Sequence, residues 1–317
     1  MNDSRRYPIT VLSLNPAVDM TYEIDRLIAD QKVHARATRH DPGGNGINVA
    51  RALKRIGAPA HCFCVLAGEI GSLLDHLLRG HIDTLTFERV PGETRINGTA
   101  LERGNDAQYE ISGIGPEIPD SVLERLLHTF VATTGNGLAV ITGSIQPELS
   151  RDTYARLVEQ LRARGGRPVI DAQGELLRRA VTARPYLIKP NRYELEQLVG
   201  RELGDRNEVA SEARRMQQSG IDKIAVSLGP DGLVFVDAEA SYHVTTPKVS
   251  VDSTVGAGDS MLAGLVAALH RGDSVEDALR LAVACGAGTV RHPGTELFSA
   301  DELPALARQA VIEKLPI

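Results

Sequence analysis

The chain has 317 residues, a formal net charge of −6, 42% hydrophobic and 24% charged residues. That balance fits a soluble globular protein with room for one large α/β domain. The charge gives no reason to expect nucleic-acid binding, and the longest apolar runs fall well short of the ~20 residues a membrane span needs.

The start, MNDSRRYPIT, lacks the apolar core of a targeting signal. The three cysteines, Cys62, Cys64 and Cys285, have no metal-type spacing. A reducing, cytoplasmic setting is expected, with Cys62 and Cys64 as core packing. Short strand-like runs then alternate with amphipathic ones. The strand-like runs are PITVLSL from Pro8, HCFCVLAG from His61, LAVITGS from Leu138, PVIDA from Pro168, YLIKPN from Tyr186, KIAVSLG from Lys223 and GLVFVDA from Gly232. Helical patterns lie between them, with INVARALKRIG from Ile47, SRDTYARLVEQLRARGG from Ser150 and EVASEARRMQQSG from Glu208. Several strand runs are apolar throughout, which predicts a mainly parallel sheet covered by helices on both faces. The alternation predicts right-handed βαβ units.

Two segments break this rhythm, at about 20–40 and 94–112. Both are more polar and alternate in the manner of strands, and the second carries a Gly104-Asn105-Asp106 turn. They predict a small sheet inserted into one domain spanning 1–317. Such a sheet can lid a site, pair with a second copy, or serve only as an edge hairpin.

Four motifs carry possible chemistry. In Asp41-Pro-Gly43-Gly44-Asn45-Gly-Ile-Asn48 a glycine loop opens a helix. Val49 stands where a dinucleotide fingerprint needs a small residue, and no GKS or GKT follows, so neither a Rossmann loop nor a P-loop is indicated. Gly43 and Gly44 allow close backbone approach, and Asn48 can bond hydroxyls. Lys189-Pro-Asn191-Arg-Tyr-Glu194 ends a strand: Asn191 and Glu194 can meet a hydrated Mg²⁺ and Lys189 a phosphate, or the segment is an ordinary acidic helix start. Ser227-Leu-Gly229-Pro-Asp-Gly232 reads as a turn between strands. Ser253-Thr254-Val-Gly256-Ala257-Gly258-Asp259-Ser260 leads into the apolar run MLAGLVAALH. Its amides can stabilise developing negative charge at a helix N-terminus, while Asp259 takes a proton from an attacking hydroxyl. Alone, it is equally a capped glycine turn. The small residues Ala284, Gly286, Ala287 and Gly288 suit either adenine or close helix packing. The histidines, His34, His40, His61, His76, His81 and His128 among them, lack ligand spacing.

Taken together and in order, NPAVD from Asn15, GGNGINVARALKRIG, ETRIN, ITGS, LIKPNRYELEQLVGREL, VSLGPDG and STVGAGDSM resemble the PfkB branch of the ribokinase-like sugar kinases over nearly the whole chain. The resemblance implies a doubly wound, mainly parallel α/β sheet with a β lid. It also implies transfer of the ATP γ-phosphoryl group to a sugar hydroxyl with Mg²⁺, and a homodimer through the lid. A need for K⁺ and inhibition by ATP stay open, as does a catalytically silent regulator on the same fold, against which the intact Asp259 argues.

By the same resemblance Asp259 is the general base, with Gly256, Ala257 and Gly258 as the anion hole. Asp19, Gly43, Gly44, Asn48 and Ser144 lie at the sugar. Arg95, with Lys32 on the lid, grips its phosphate. Lys189, Asn191, Ser227, Gly229, Gly232 and Thr254 match nucleotide-site positions, and Asn191 with Glu194 acts on Mg²⁺. Thr94-Arg95 points to the phosphosugar kinases. Asn45 stands where fructose-1-phosphate and tagatose-6-phosphate kinases usually carry Lys, so fructose 6-phosphate is the expected acceptor and those two sugars are the alternatives.

Overall fold

The structure, a computed structural model, describes residues 8–105 and 107–316. The polar start at residues 1–7, Asp106 of the hairpin turn and Ile317 lie outside the described residues. In chain order the elements are β1 (Ile9–Ser13), β2 (Ala17–Ile24), β3 (Ala37–Gly43), α1 (Asn45–Arg55), β4 (Ala60–Ala67), α2 (Gly68–Leu78), β5 (Thr84–Val90), β6 (Arg95–Glu102), β7 (Ala107–Ile111) and α3 (Asp120–Thr134). There follow β8 (Leu138–Thr142), α4 (Thr153–Ala163), β9 (Arg167–Asp171), α5 (Gly174–Thr182), β10 (Leu187–Ile188), α6 (Arg192–Val199), α7 (Arg206–Gln218) and β11 (Lys223–Ser227). The last are β12 (Leu233–Val236), β13 (Ser241–Val244), α8 (Ala257–Arg271), α9 (Val275–Thr289), α10 (Leu303–Ala307) and β14 (Ile312–Leu315).

The main sheet runs β14-β13-β12-β11-β10-β9-β8-β1-β4-β5. Pairing is parallel from β5 to β11 and antiparallel from β11 to β14. Alternation along β1 shows why both faces are covered. Ile9 and Val11 join the core under α1, α2, α8, α9 and α10, while Leu12 joins the core under α3 to α7. The chain builds outward from β1 through β4 to β5, then returns to lay β8 on the other side of β1. That reversal opens a crevice beyond the carboxyl ends of β1 and β8, where doubly wound sheets bind ligands.

A second sheet, ordered β3-β2-β6-β7, is inserted beside this crevice. It corresponds to the two polar segments, with shifted bounds. β2 starts at Ala17 and β3 runs to Gly43, so Asp19 and Gly43 stand on the small sheet itself, and residues 25–36 only connect its strands. Strands β5, β13 and β14, absent from the sequence reading, lie at or near the sheet edges. Their half-polar sequences, TLTFERV, SYHV and IEKL, carry no long apolar run. β10 shrinks to Leu187–Ile188, two residues before Pro190. No helix among the described residues is long and apolar enough to cross a membrane. Cys62, Cys64 and Cys285 are buried and free.

Small residues let α9 pack closely on its neighbours. A Cβ on Gly288 would meet Phe298 Cβ at 2.7 Å, and one on Gly264 in α8 would meet Cys285 Sγ and Leu281 O, both at 3.0 Å. Gly264→Val therefore overpacks the α8–α9 seam and is expected to cost about 1–3 kcal/mol. Urea unfolding checks this, and an unchanged midpoint would show that the seam has slack.

Candidate active site

Two helices begin at the crevice. Gly44 precedes α1 at φ 95° and Gly256 precedes α8 at φ 77°, left-handed conformations that glycine adopts at least cost. Their first turns face each other. Asp259, in the first turn of α8, is 5% exposed and accepts from Asn45 Nδ2 and Asn48 Nδ2 of α1, each at 3.0 Å. Burial first, then the negative charge of Asp171, pushes its pKa up to about 6, against the lowering effect of the two amides and Lys189.

Behind it, Lys189 Nζ lies 3.2 Å from Asp171 Oδ2 at the end of β9. Burial alone would lower the Lys189 pKa, but Asp171, Asp259 and Glu194 outweigh it and the pKa rises, so the ammonium stays charged.

The opposite wall belongs to the small sheet. Asp19 Oδ1 accepts from Asn97 Nδ2 at 2.7 Å. A Cβ on Gly43 would sit 2.1 Å from Asp19 Oδ2, so only glycine leaves this carboxylate its place. Burial raises the Asp19 pKa, with Asp41 adding to it and Asn97, Arg95 and Arg51 opposing it. Arg95 donates to Asn15 O through Nε at 3.1 Å and Nη2 at 2.8 Å, and Asn15 Nδ2 donates to Ser144 Oγ at 3.0 Å. Between the walls lies a cavity of about 310 Å³ whose lining includes Asp19, Gly44, Asn48, Arg95, Ser144, Glu194, Gly256 and Asp259. It thus has a base-capable carboxylate at a helix N-terminus and a guanidinium on a different wall.

Most of the other expected residues have packing or capping partners of their own, at the cavity or away from it. Gly43 packs on Asp19, and Ala257 and Gly258 form the first turn of α8. Lys189 is spent on Asp171, and a Cβ on Gly258 would meet its Nζ at 3.4 Å. Asn191 and Glu194 form a reciprocal cap on α6: Glu194 N donates to Asn191 Oδ1 at 2.8 Å, and Asn191 N to Glu194 Oε2 at 2.9 Å. Ser227, Gly229 and Gly232 shape the turn after β11, outside the cavity lining. Thr254 is exposed before α8, and Lys32 is exposed on the β2–β3 connection, also outside the lining.

The motifs do not show the contacts of Asn45, weighed in the sequence only for the choice of sugar, or of Asn97 and Asp171; only the fold sets them against Asp259, Asp19 and Lys189.

No group of three or more His, Cys, Asp or Glu able to hold a metal occurs among the described residues. A hydrated Mg²⁺ needs only one or two carboxylates plus phosphates. Glu194 fits: it lines the cavity, and burial raises its pKa with Asp171 adding to the effect, a situation that a cation relieves.

Fold and site together define a sugar kinase of the doubly wound type. Residues 12–302 match the pfkB family carbohydrate kinases, and the chain belongs to that family. It is 32% identical over 298 residues to the 1-phosphofructokinase of Bacillus subtilis, covering 93% of this chain and 97% of that one. It is 31% identical over 296 residues to the ATP-dependent 6-phosphofructokinase isozyme 2 of Escherichia coli, covering 93% and 96%. It superposes on phosphofructokinase-2 from Escherichia coli in complex with substrates and products with a TM-score of 0.91 at 30% identity, covering 95% and 98%. The protein is a phosphofructokinase-type sugar kinase, and kinases of this family use ATP.

The raised pKa of Asp259 has a stability consequence. Unfolded, the group titrates near 3.8; folded, near about 6. Between these values the folded state keeps a proton that the unfolded state has lost, so stability falls as pH rises through the window. The loss, about 3 kcal/mol, is complete above pH 6. Asp259→Asn removes the buried charge and is expected to gain on the wild type by up to that amount between pH 4 and pH 7. Urea unfolding at both values measures it, and a pH-independent difference would refute the raised pKa.

Proposed function

We propose that this kinase moves the γ-phosphoryl group of ATP to a free primary hydroxyl of a fructose monophosphate, with Asp259 as general base. The observation that carries the reading is the pairing in one cavity of a buried carboxylate at the N-terminus of α8 with Arg95 on a facing wall. Asp259 takes the hydroxyl proton, the oxygen attacks the γ-phosphorus, and the bond to the β-phosphate oxygen breaks to release ADP. The amides of Gly256, Ala257 and Gly258 stabilise the charge that develops. Asp19, Asn48, Gly43 and Gly44 hold the sugar hydroxyls and the backbone approach, while Arg95 and Ser144 receive the sugar phosphate. Ser227, Gly229, Gly232 and Thr254 border the nucleotide, and Lys189 tempers the charge between Asp171 and Asp259. Glu194, fixed by Asn191, would hold Mg²⁺ through its water shell, where the ion neutralises phosphate charge.

Similarity to 1-phosphofructokinases supports fructose 1-phosphate as the acceptor. Fructose 6-phosphate, the acceptor expected from the motifs, is the second reading, supported by likeness to the isozyme 2 enzyme and its structures. Lys32 reaches a phosphate only if its connection folds over the cavity.

The outer face of the small sheet supports a dimer. Register aligns Tyr22, Ala100 and Tyr109 in one row and Met20, Gly98 and Ile111 in the next, and Tyr22, Tyr109 and Ile111 are 39%, 42% and 73% exposed. An apolar sheet face this open suits a second copy.

Steady-state assays with ATP and fructose 1-phosphate, fructose 6-phosphate or tagatose 6-phosphate test the acceptor. The first is expected to give the highest kcat/KM, and a clear lead for another sugar reverses the ranking. Asp259→Asn is expected to lower kcat on the order of 10²–10⁴-fold, and wild-type kcat/KM is expected to rise with pH through about 6. A variant as fast as wild type would remove Asp259 as the base. Ile111→Glu is expected to shift the protein from dimer to monomer in sedimentation, and a monomeric wild type would end the dimer reading.

A further inference from the structure

Arg51, in the middle of α1, is 4% exposed, and among the described residues its hydrogen bonds go to uncharged oxygens. Its Nη1 donates to three acceptors from three parts of the chain: Pro42 O on β3 at 2.8 Å, Asn48 Oδ1 one turn earlier at 3.3 Å, and Thr295 O in the loop after α9 at 3.2 Å. Burial lowers its pKa to about 10, with Arg55 and Arg39 adding to this and Asp41 and Asp19 opposing it. A buried guanidinium is costly to keep, so its contacts call for an explanation.

The bond to Asn48 supplies one. A guanidinium has no acceptor, so it can face only the oxygen of a side-chain amide. With Oδ1 turned to Arg51, Nδ2 of Asn48 has to point the other way, and it donates to Asp259 Oδ2 at 3.0 Å. A reversed amide would set its oxygen against the Asp259 carboxylate.

We propose that Arg51 is a positioning residue for phosphoryl transfer: it locks the amide of Asn48 so that Asp259 is held as an acceptor, and it ties that lock to the root of the small sheet at Pro42. The proposal rests on Asp259 being the base. Arg51 does not itself line the cavity; it acts through Asn48, which does. The charged groups that bear on Asp259 are Asp171 and Lys189, from β9 and the segment after β10, and neither is bonded to Arg51.

The test is a double-mutant cycle in the full chain, with Arg51→Met, Asn48→Ala and the pair, read as kcat and as the acidic limb of kcat/KM against pH. Arg51→Met is expected to lower kcat by about 10- to 100-fold and to move the limb to higher pH, because the carboxylate loses a fixed donor. In the Asn48→Ala background the same change is expected to add little to either reading. Arg51→Lys replaces the methionine variant if that one does not fold, with a smaller shift of the limb expected. Equal losses in both backgrounds, or a drop in kcat with the limb unmoved, would overturn the proposal. A wild-type rate for Asp259→Asn, measured alongside, would instead remove the base on which it rests.

Discussion

A buried carboxylate in a ring of polar partners governs this structure. Asp259 cannot stay charged in an apolar interior without donors. Asn45 and Asn48 supply two, the N-terminus of α8 adds its partial positive charge, and Lys189 adds a full one nearby. These partners come from three stretches of chain, so the fold has to bring α1, α8 and the ends of β9 and β10 to one point. The parallel sheet does this because all its carboxyl ends lie on one side. The left-handed glycines at 44 and 256 then let both helices start there without a side chain in the way. The balance stops short of complete compensation, and the group stays poised near neutral pH, where a proton acceptor is useful.

The small sheet depends on this arrangement and completes it. β2 follows β1 after only a few residues, so the sheet roots at the crevice rather than hanging from a linker. Its parallel register sets Ala17 beside Arg95 and Asp19 beside Asn97. A slip of β2 by one residue would turn Asp19 to the outer face, away from Asn97, and Met20 inward. One register therefore decides both the polar wall of the cavity and the apolar face that can meet another copy. Gly43 enforces it from the other neighbour, since any side chain there would displace the Asp19 carboxylate.

Much of this was legible in the sequence because the signals were local. Apolar runs marked the central strands, and glycines before helical patterns marked both helix starts. The polar, alternating segments marked the second sheet. What stayed hidden was relational. Asp171 closes an apolar strand and reads as a strand end until the parallel register brings it to Lys189. Asn191 and Glu194 carry a spacing that serves a reciprocal helix cap as well as a metal, and the structure shows the cap. Lys32 was matched by position alone, and it lies on an exposed connection. The edge strands β5 and β14, and β13 next to the edge, show no continuous apolar run, because strands at or near an edge need none.

The identity of the acceptor stayed hidden for a further physical reason. Fructofuranose 1-phosphate and 6-phosphate each carry one phosphate and one free primary hydroxyl, at opposite ends of a similar ring. A cavity with a guanidinium on one wall and a base on another accepts either molecule if the ring is turned over. Charged groups that grip only the two ends cannot discriminate between them. What differs after that reversal is the position of the anomeric hydroxyl and of the ring oxygen. Asp19 and Asn97 line the cavity, and their own hydrogen bond fixes which oxygen and which N–H they present to whatever enters it. A polar site rejects a misplaced partner by leaving buried groups unpaired. The choice of sugar is thus expected to reside in the Asp19–Asn97 pair and the adjoining Glu110 and Ser112, which line the same wall, more than in the residues that carry out the transfer.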